Sequence, residues 1–305
     1  MSVSRRNKLT ALIALLLLLP FVAAATPPRG YIGGGVITLT GLGNTLVKSV
    51  QGGNPMQQPT VRGQRSDKYP DKVPGALRFE DATFELPVSA PSVFWEWVNA
   101  AAGPRDTAPK RMVLSEFDYT NREISHLIFE DCALRALELP ACDSTSKSPG
   151  FLKLTVAPVR VIDAAVDATA KPAPDAKLKT WKSSGFRLSI DGLDATAVTK
   201  IEPLTIKRIG RGLVEYSNLI VTVADTDLDE WKQWSLQGFE GKPAERNGKL
   251  EYLSTDRTAT ILSATFEGLG IVRLQREKYD PSIDPTRRTR VELYVEKVTF
   301  VAPSL

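Results

Sequence analysis

The chain has 305 residues, 42% hydrophobic and 24% charged, the proportions of an ordinary folded protein. That length accommodates about two domains of roughly 150 residues. The net charge of +4 comes from dispersed cations, such as Arg105, Lys110 and Arg111 in one place and Lys207, Arg208 and Arg211 in another. It excludes the basic stripe with interleaved aromatics that nucleic-acid binding needs.

Residues 1–25 read as a signal peptide. Arg5, Arg6 and Lys8 form a positive start, residues 9–22 an apolar run, and Ala23-Ala24-Ala25 a small-residue cleavage site ahead of Thr26-Pro27-Pro28. An uncleaved anchor is the alternative, but the run is short of the roughly 20 residues of a membrane span. No Cys stands at the cleavage point, which argues against a lipoprotein. The mature chain is expected to be exported, periplasmic or extracellular, and free of the membrane once cleaved.

After Gly33-Gly34-Gly35 the alternation of Val36-Ile37-Thr38-Leu39 predicts a strand, followed by a Gly-Leu turn and a second short strand over 46–50. Residues 52–74, rich in Gly, Gln, Pro and charge, predict a long exposed loop, either a binding or assembly arm or simply disordered. A strand follows over 78–88, then a short helix over 92–101 announced by Ser89-Ala90-Pro91-Ser92. Residues 112–117 and 124–129 predict a hairpin, 133–139 a further strand and 151–161 a last one. Residues 164–180, rich in Ala, Pro, Asp and Lys, read as a linker.

The same order then returns. Phe186-Arg187-Leu188-Ser189-Ile190 opens the second half, and a helix over 227–236, a hairpin and strands over 270–275 and 290–301 follow. Phe94-x-x-Trp97 meets Trp231-x-x-Trp234, and Phe129-Glu130 meets Phe266-Glu267, all at an offset of 137 (231 − 94, 266 − 129). Ile124, Leu134 and Leu137 meet Ile261, Ile271 and Leu274 at that offset. Gly41-Leu42 matches Gly192-Leu193, and Leu154-Thr155-Val156 is aligned with Leu293-Tyr294-Val295. The expected fold is mainly β: two tandem antiparallel β-sandwich or barrel domains, residues 31–163 and 181–305, each with one short α-helix.

Catalytic signatures are missing. The single His126 sits at strand spacing, no G-x-S-x-G elbow is present, and neither a P-loop nor a dinucleotide fingerprint occurs. Glu80, Asp81 and Glu85 on one predicted strand are tempting candidates for the two carboxyls of a glycosidase. Asp225, Asp227, Asp229 and Glu230 cluster at a helix start, where capping and the helix dipole explain them better than calcium does. No catalytic residue, metal site or cofactor is expected, and no enzymatic activity. Cys132 and Cys142 suggest a local disulfide clamping a hairpin around Pro140, with two free thiols as the alternative. The helical spacing of Phe94, Trp97, Trp231 and Trp234 marks them as domain-core aromatics. Trp95 and Trp181 fall outside that pattern and are the candidates for an exposed contact, such as a glycan platform.

Three segments carry a family resemblance: the opening Gly185-Phe186-Arg187-Leu188-Ser189-Ile190-Asp191-Gly192, the strand Ile220-Val221-Thr222-Val223 leading to Trp231-Lys232-Gln233-Trp234, and the closing Val291-Glu292-Leu293-Tyr294-Val295-Glu296. The pattern resembles the tail-tube proteins of contractile phages and the tube protein of type VI secretion. It covers both halves, while a signal peptide is foreign to that family. The resemblance implies a structural, non-enzymatic protein with no cofactor. It also implies self-association through sheet edges, three duplicated chains closing a pseudo-hexameric ring, or docking on a protein partner. A secreted ligand- or glycan-binding β module is the other expectation.

Overall fold

The computed structural model describes residues 36–64, 67–103, 109–172, 181–209, 213–241, 244–282 and 286–302. The expected signal peptide and the Gly33-Gly34-Gly35 run lie outside the described residues, as do residues 173–180 of the expected linker. The fold is mainly β, with curled antiparallel sheets forming a half-barrel.

The first half contributes β1 (Val36–Thr40), β2 (Thr45–Leu46), β3 (Ser49–Gly52), β4 (Pro55–Gln57), β5 (Thr60–Gln64), β6 (Pro70–Val73), β7 (Leu77–Phe79) and β8 (Ala82–Pro87). Helix α1 (Ser92–Ala101) follows, then β9 (Lys110–Phe117), β10 (Glu123–Leu139), β11 (Cys142–Asp143), β12 (Pro149–Ala157) and β13 (Arg160–Asp163). The rest is β14 (Trp181–Lys182), β15 (Phe186–Ile190), β16 (Val198–Ile201), β17 (Leu204–Ile209), β18 (Leu213–Tyr216), β19 (Leu219–Ala224), helix α2 (Asp229–Phe239), β20 (Arg246–Leu253), β21 (Thr260–Arg276) and β22 (Arg288–Val301).

One sheet runs β1-β9-β10-β12-β8-β3, and the other runs β15-β20-β21-β22-β19-β16, so corresponding strands occupy corresponding places. The ladders of β10 with β12 and β13 match those of β21 with β22 residue for residue. Phe129 pairs with Val161 and Phe266 with Val298, both members displaced by 137 (266 − 129, 298 − 161). Leu137 pairs with Leu154, and Leu274 with Val291, at the same displacement. The register shift between Leu134 and Ala136 recurs between Ile271 and Arg273. On the N-terminal side Val50 pairs with Phe84 and Ile201 with Val221, a displacement of 151 (201 − 50) on one strand and 137 on the other. These ladders correct the sequence alignment of the last strand: Leu154-Thr155-Val156 corresponds to Val291-Glu292-Leu293, two residues earlier than apolar matching placed it.

Two expected breaks are absent. The predicted hairpin strand 124–129 and the strand 133–139 are one bent strand, β10, and β21 merges its counterparts in the same way. Each bends at a residue with left-handed backbone, Asp131 (φ 51°) and Gly268 (φ 65°), again 137 apart. A bulge there kinks the strand and keeps both ladders going. The predicted loop over 52–74 is also corrected. It is an exposed two-tier hairpin arm in which β4 pairs with β7 and, further out, β5 with β6.

The two halves are joined by main-chain pairing. β17 adds to β10 (Leu137 opposite Ile206, Leu139 opposite Leu204), and β11 adds to β16 (Cys142 opposite Ile201). Leu137, Leu139, Leu204 and Ile206 are all buried there. Trp181 is the second tie. Its strand pairs with β12, its Nε1 donates to the Gly185 carbonyl at 2.7 Å, and its ring meets Tyr252 edge-on at 5.0 Å. A Cβ on Gly150 would stand 2.5 Å from the Trp181 ring, so only glycine allows this close approach.

Trp181→Ala leaves a large cavity at this tie and is expected to lower stability by about 3–5 kcal/mol. Denaturant titration checks it; a loss below about 1 kcal/mol would show the tie to be dispensable.

Candidate functional site

His126 Nδ1 lies 2.8 Å from Glu123 Oε1, and Glu123 Oε2 accepts the Asp167 N–H at 2.6 Å. Burial alone would push the Glu123 carboxyl up in pKa. Hydrogen bonds from Ser115, the Asp167 N–H and His126 outweigh it and hold the carboxyl below the usual range. The group therefore fastens the chain after β13 onto the β9–β10 hairpin.

Of the three carboxylates expected on one strand, only Glu85 lies on β8. Glu80 and Asp81 precede that strand. Glu85 takes Lys48 at 2.9 Å and the Ser49 hydroxyl at 2.8 Å, which lowers its pKa. Glu80 accepts from Asn54 Nδ2 at 2.8 Å, and Asp81 pairs with Arg135 at 3.7 Å. These carboxylates clip neighbouring strands together. The cluster 225–230 is likewise not a capping set, since neither helical turn has a side-chain cap bond. Asp225 accepts from the Thr289 hydroxyl at 2.6 Å, Glu230 accepts the Asp194 N–H at 3.0 Å, and Asp229 pairs with Lys232 at 2.9 Å. Asp229 and Glu230 still stand in the first turn, where the helix dipole favours them. Among the described residues no three His, Cys, Asp or Glu side chains are grouped to hold a metal ion.

Phe94 and Trp97 on α1, and Trp231 and Trp234 on α2, are buried. The expectation for Trp95 and Trp181 as exposed contacts is corrected, because both are buried as well. Trp95 packs on Phe94 at 4.9 Å and Phe300 at 5.0 Å, and Asn99 exchanges two hydrogen bonds with the Phe300 backbone (2.6 and 2.8 Å). Helix α1 is covered on a second side by the end of β22. An i, i+3 pattern reveals only the side facing its own sheet.

The disulfide expectation is also corrected: Cys132 and Cys142 are free and buried. β10 runs on seven residues past Cys132 to Leu139, about 23 Å at strand rise. The three residues to Cys142 return at most about 11 Å, so the pair stays beyond the roughly 7 Å limit for a bridge. Burial pushes the Cys132 thiol up to about 12 and the Cys142 thiol higher, which keeps both unreactive.

What remains open on the surface is backbone. The β17–β18 hairpin is docked on β10. Its counterpart, the β4–β7 hairpin, forms among the described residues a sheet of two strands. The C-terminal part of β21, residues 270–276, pairs with β22 on one side and, among the described residues, with no strand on the other. The equivalent part of β10 carries β17 on that side. Sequence reasoning missed both features, because pairing between distant strands leaves no local signal. No described helix is long and apolar enough to cross a membrane.

No protein-family model and no curated protein matches the chain. Similar solved structures include the sheath–tube complex of the extracellular contractile injection system PVC, at 18% identity and TM-score 0.39, covering 47% of this chain and 95% of that one. The tube-terminating cap of the anti-feeding prophage matches at 17% identity and TM-score 0.40, covering 48% of this chain and 99% of that one. Hcp1 of E. coli EAEC 042 matches at 14% identity and TM-score 0.29, covering 38% of this chain and 88% of that one.

Because Glu123 is held below its ordinary value of about 4.3, its charge stabilises the fold above that pH, and the contribution is lost as pH falls through the depressed folded-state value. Glu123→Gln is therefore expected to flatten the acid limb of the stability curve, with the gap to wild type shrinking below about pH 4. Denaturant midpoints from about pH 7 to pH 3 read this directly, and a gap independent of pH would rule the charge out.

Proposed function

We propose that this protein is an exported, non-enzymatic structural protein. It consists of two tandem copies of a tail-tube-like β module, residues 31–163 and 181–305, joined by residues 164–180. The matching ladder registers support the duplication, since unrelated sheets do not share bulges, bends and pairings at corresponding positions. Glu80, Asp81 and Glu85 are engaged in clipping strands together and His126 in holding Glu123 of its own strand, which supports a role in shape over one in reactivity.

The observation that carries self-association is the docking of β17 on β10. One module already accepts a strand from the other, so the module has a built-in contact with its own kind. A contact between two different faces propagates head to tail, and it closes into a ring when its rotation divides the circle. Three duplicated chains place six modules in such a ring. Export rests on the signal-like residues 1–25, and processing would leave Thr26 as the first residue.

Light scattering on the processed chain at micromolar concentration is expected to give a multiple of the monomer mass, with trimers as the closed species, and negative-stain images are expected to show rings. A folded monomer across that range would overturn the proposal.

A further inference from the structure

The intrachain junction specifies a second one. Its donor is the first strand of a hairpin, β17, and its acceptor is the C-terminal part of β10. Both have counterparts with one edge that, among the described residues, pairs with no strand. Transferred by the ladder offsets, Lys207 corresponds to Met56 (207 − 151) and Ala136 to Arg273 (136 + 137). Backbone bonding supports the donor match. Ser217 N donates to the Thr205 carbonyl at 2.8 Å, and Glu80 N donates to the Asn54 carbonyl at 3.0 Å, the same bond in the two hairpins.

We propose that residues 54–57 of one copy add antiparallel to the free edge of residues 270–276 in a second copy of this chain, with Met56 opposite Arg273. This rests on the self-association reading above and names its contact. The arm presents Met56 at 39% and Leu77 at 57% exposure, and the edge presents Val272 at 48%. Within one chain the two segments lie in different sheets and share no ladder, while β17 already pairs with β10. Donor and acceptor therefore belong to different copies.

An independent observation on α2 points the same way. Asn99 on α1 binds the Phe300 backbone across the intrachain junction. The residue in its place on α2 is Leu236 (99 + 137), which is 57% exposed, and Phe239 one turn on is 66% exposed. Phe239 borders a shallow pocket with Gly238, Gly270, Ile271 and Tyr294, so this apolar face adjoins the free edge. The position matching Phe300 is Asp163 (300 − 137), at the end of β13 of the copy that donates residues 54–57. Strand edge and helix face thus form one continuous acceptor surface. Pro55 takes the place of Ile206 and has no N–H, so the interchain ladder is one bond weaker than the intrachain one. That leaves the chain's own fold tighter than its association.

The test uses the full chain with cysteine introduced at exposed positions, the native pair being buried and inert. Mixing Met56→Cys chains with Arg273→Cys chains under mild oxidation is expected to give a covalent heterodimer. The double variant Met56→Cys/Arg273→Cys is expected to give covalent multimers up to a closed species that reduction dissolves. Oligomers of unchanged size by light scattering with no interchain bond would overturn this contact and leave self-association standing. An intrachain bond in a monomeric double variant would overturn the contact as well. A wild-type chain that stays monomeric would overturn the functional reading together with this inference.

Discussion

The structure depends on a strand of the second half completing the sheet of the first. β17 lies along the distal part of β10 and brings Leu204 and Ile206 against Leu137 and Leu139, all of them buried. Burying each such side chain contributes about 1.5–3 kcal/mol, and the main-chain bonds fix the register at the same time. Without that addition, β10 would present an open apolar edge, which proteins otherwise shield because it templates aggregation. The residues that follow β17, and the helix packed on β22, take their positions from it.

The tie through Trp181 shows how much the junction relies on small residues. Gly150 lets the indole lie on the backbone of β12, and Tyr252 closes the ring from the other half, its hydroxyl 3.5 Å from the Pro140 carbonyl. A bulky aromatic wedged between two sheets transmits strain between them, because packed interiors yield little. The junction is therefore rigid.

Polar groups follow the same logic. Glu85 joins Lys48 and Ser49 to β8, Glu123 joins the segment after β13 to a hairpin, and Glu202 takes Arg290 through two bonds at 2.6 and 3.1 Å. These contacts lower the pKa values of Glu85 and Glu123. Such groups are poor general acids near neutral pH. Chemistry and architecture agree: the charges organise strands, and the open valences are backbone edges.

The sequence by itself determined the mainly β class, one helix per half, and the near-constant offset that relates the halves. Apolar alternation, paired aromatics at i and i+3, and turn residues are local, and local preferences survive into the fold. It also placed Phe94, Trp97, Trp231 and Trp234 inside. Tertiary structure alone decided the rest. It merged two predicted strands into each of β10 and β21, since a bend at Asp131 or Gly268 reads in sequence like a break. It buried Trp95 and Trp181 by bringing in Phe300 and Tyr252 from far along the chain. It separated Cys132 from Cys142 because an unbroken strand carries the first away from the second. It also set which hairpin is docked on β10 and which, among the described residues, pairs with no further strand. That choice rests on hydrogen bonds between strands distant in sequence, and main-chain amides are chemically alike in every residue but proline, so no side-chain pattern encodes it.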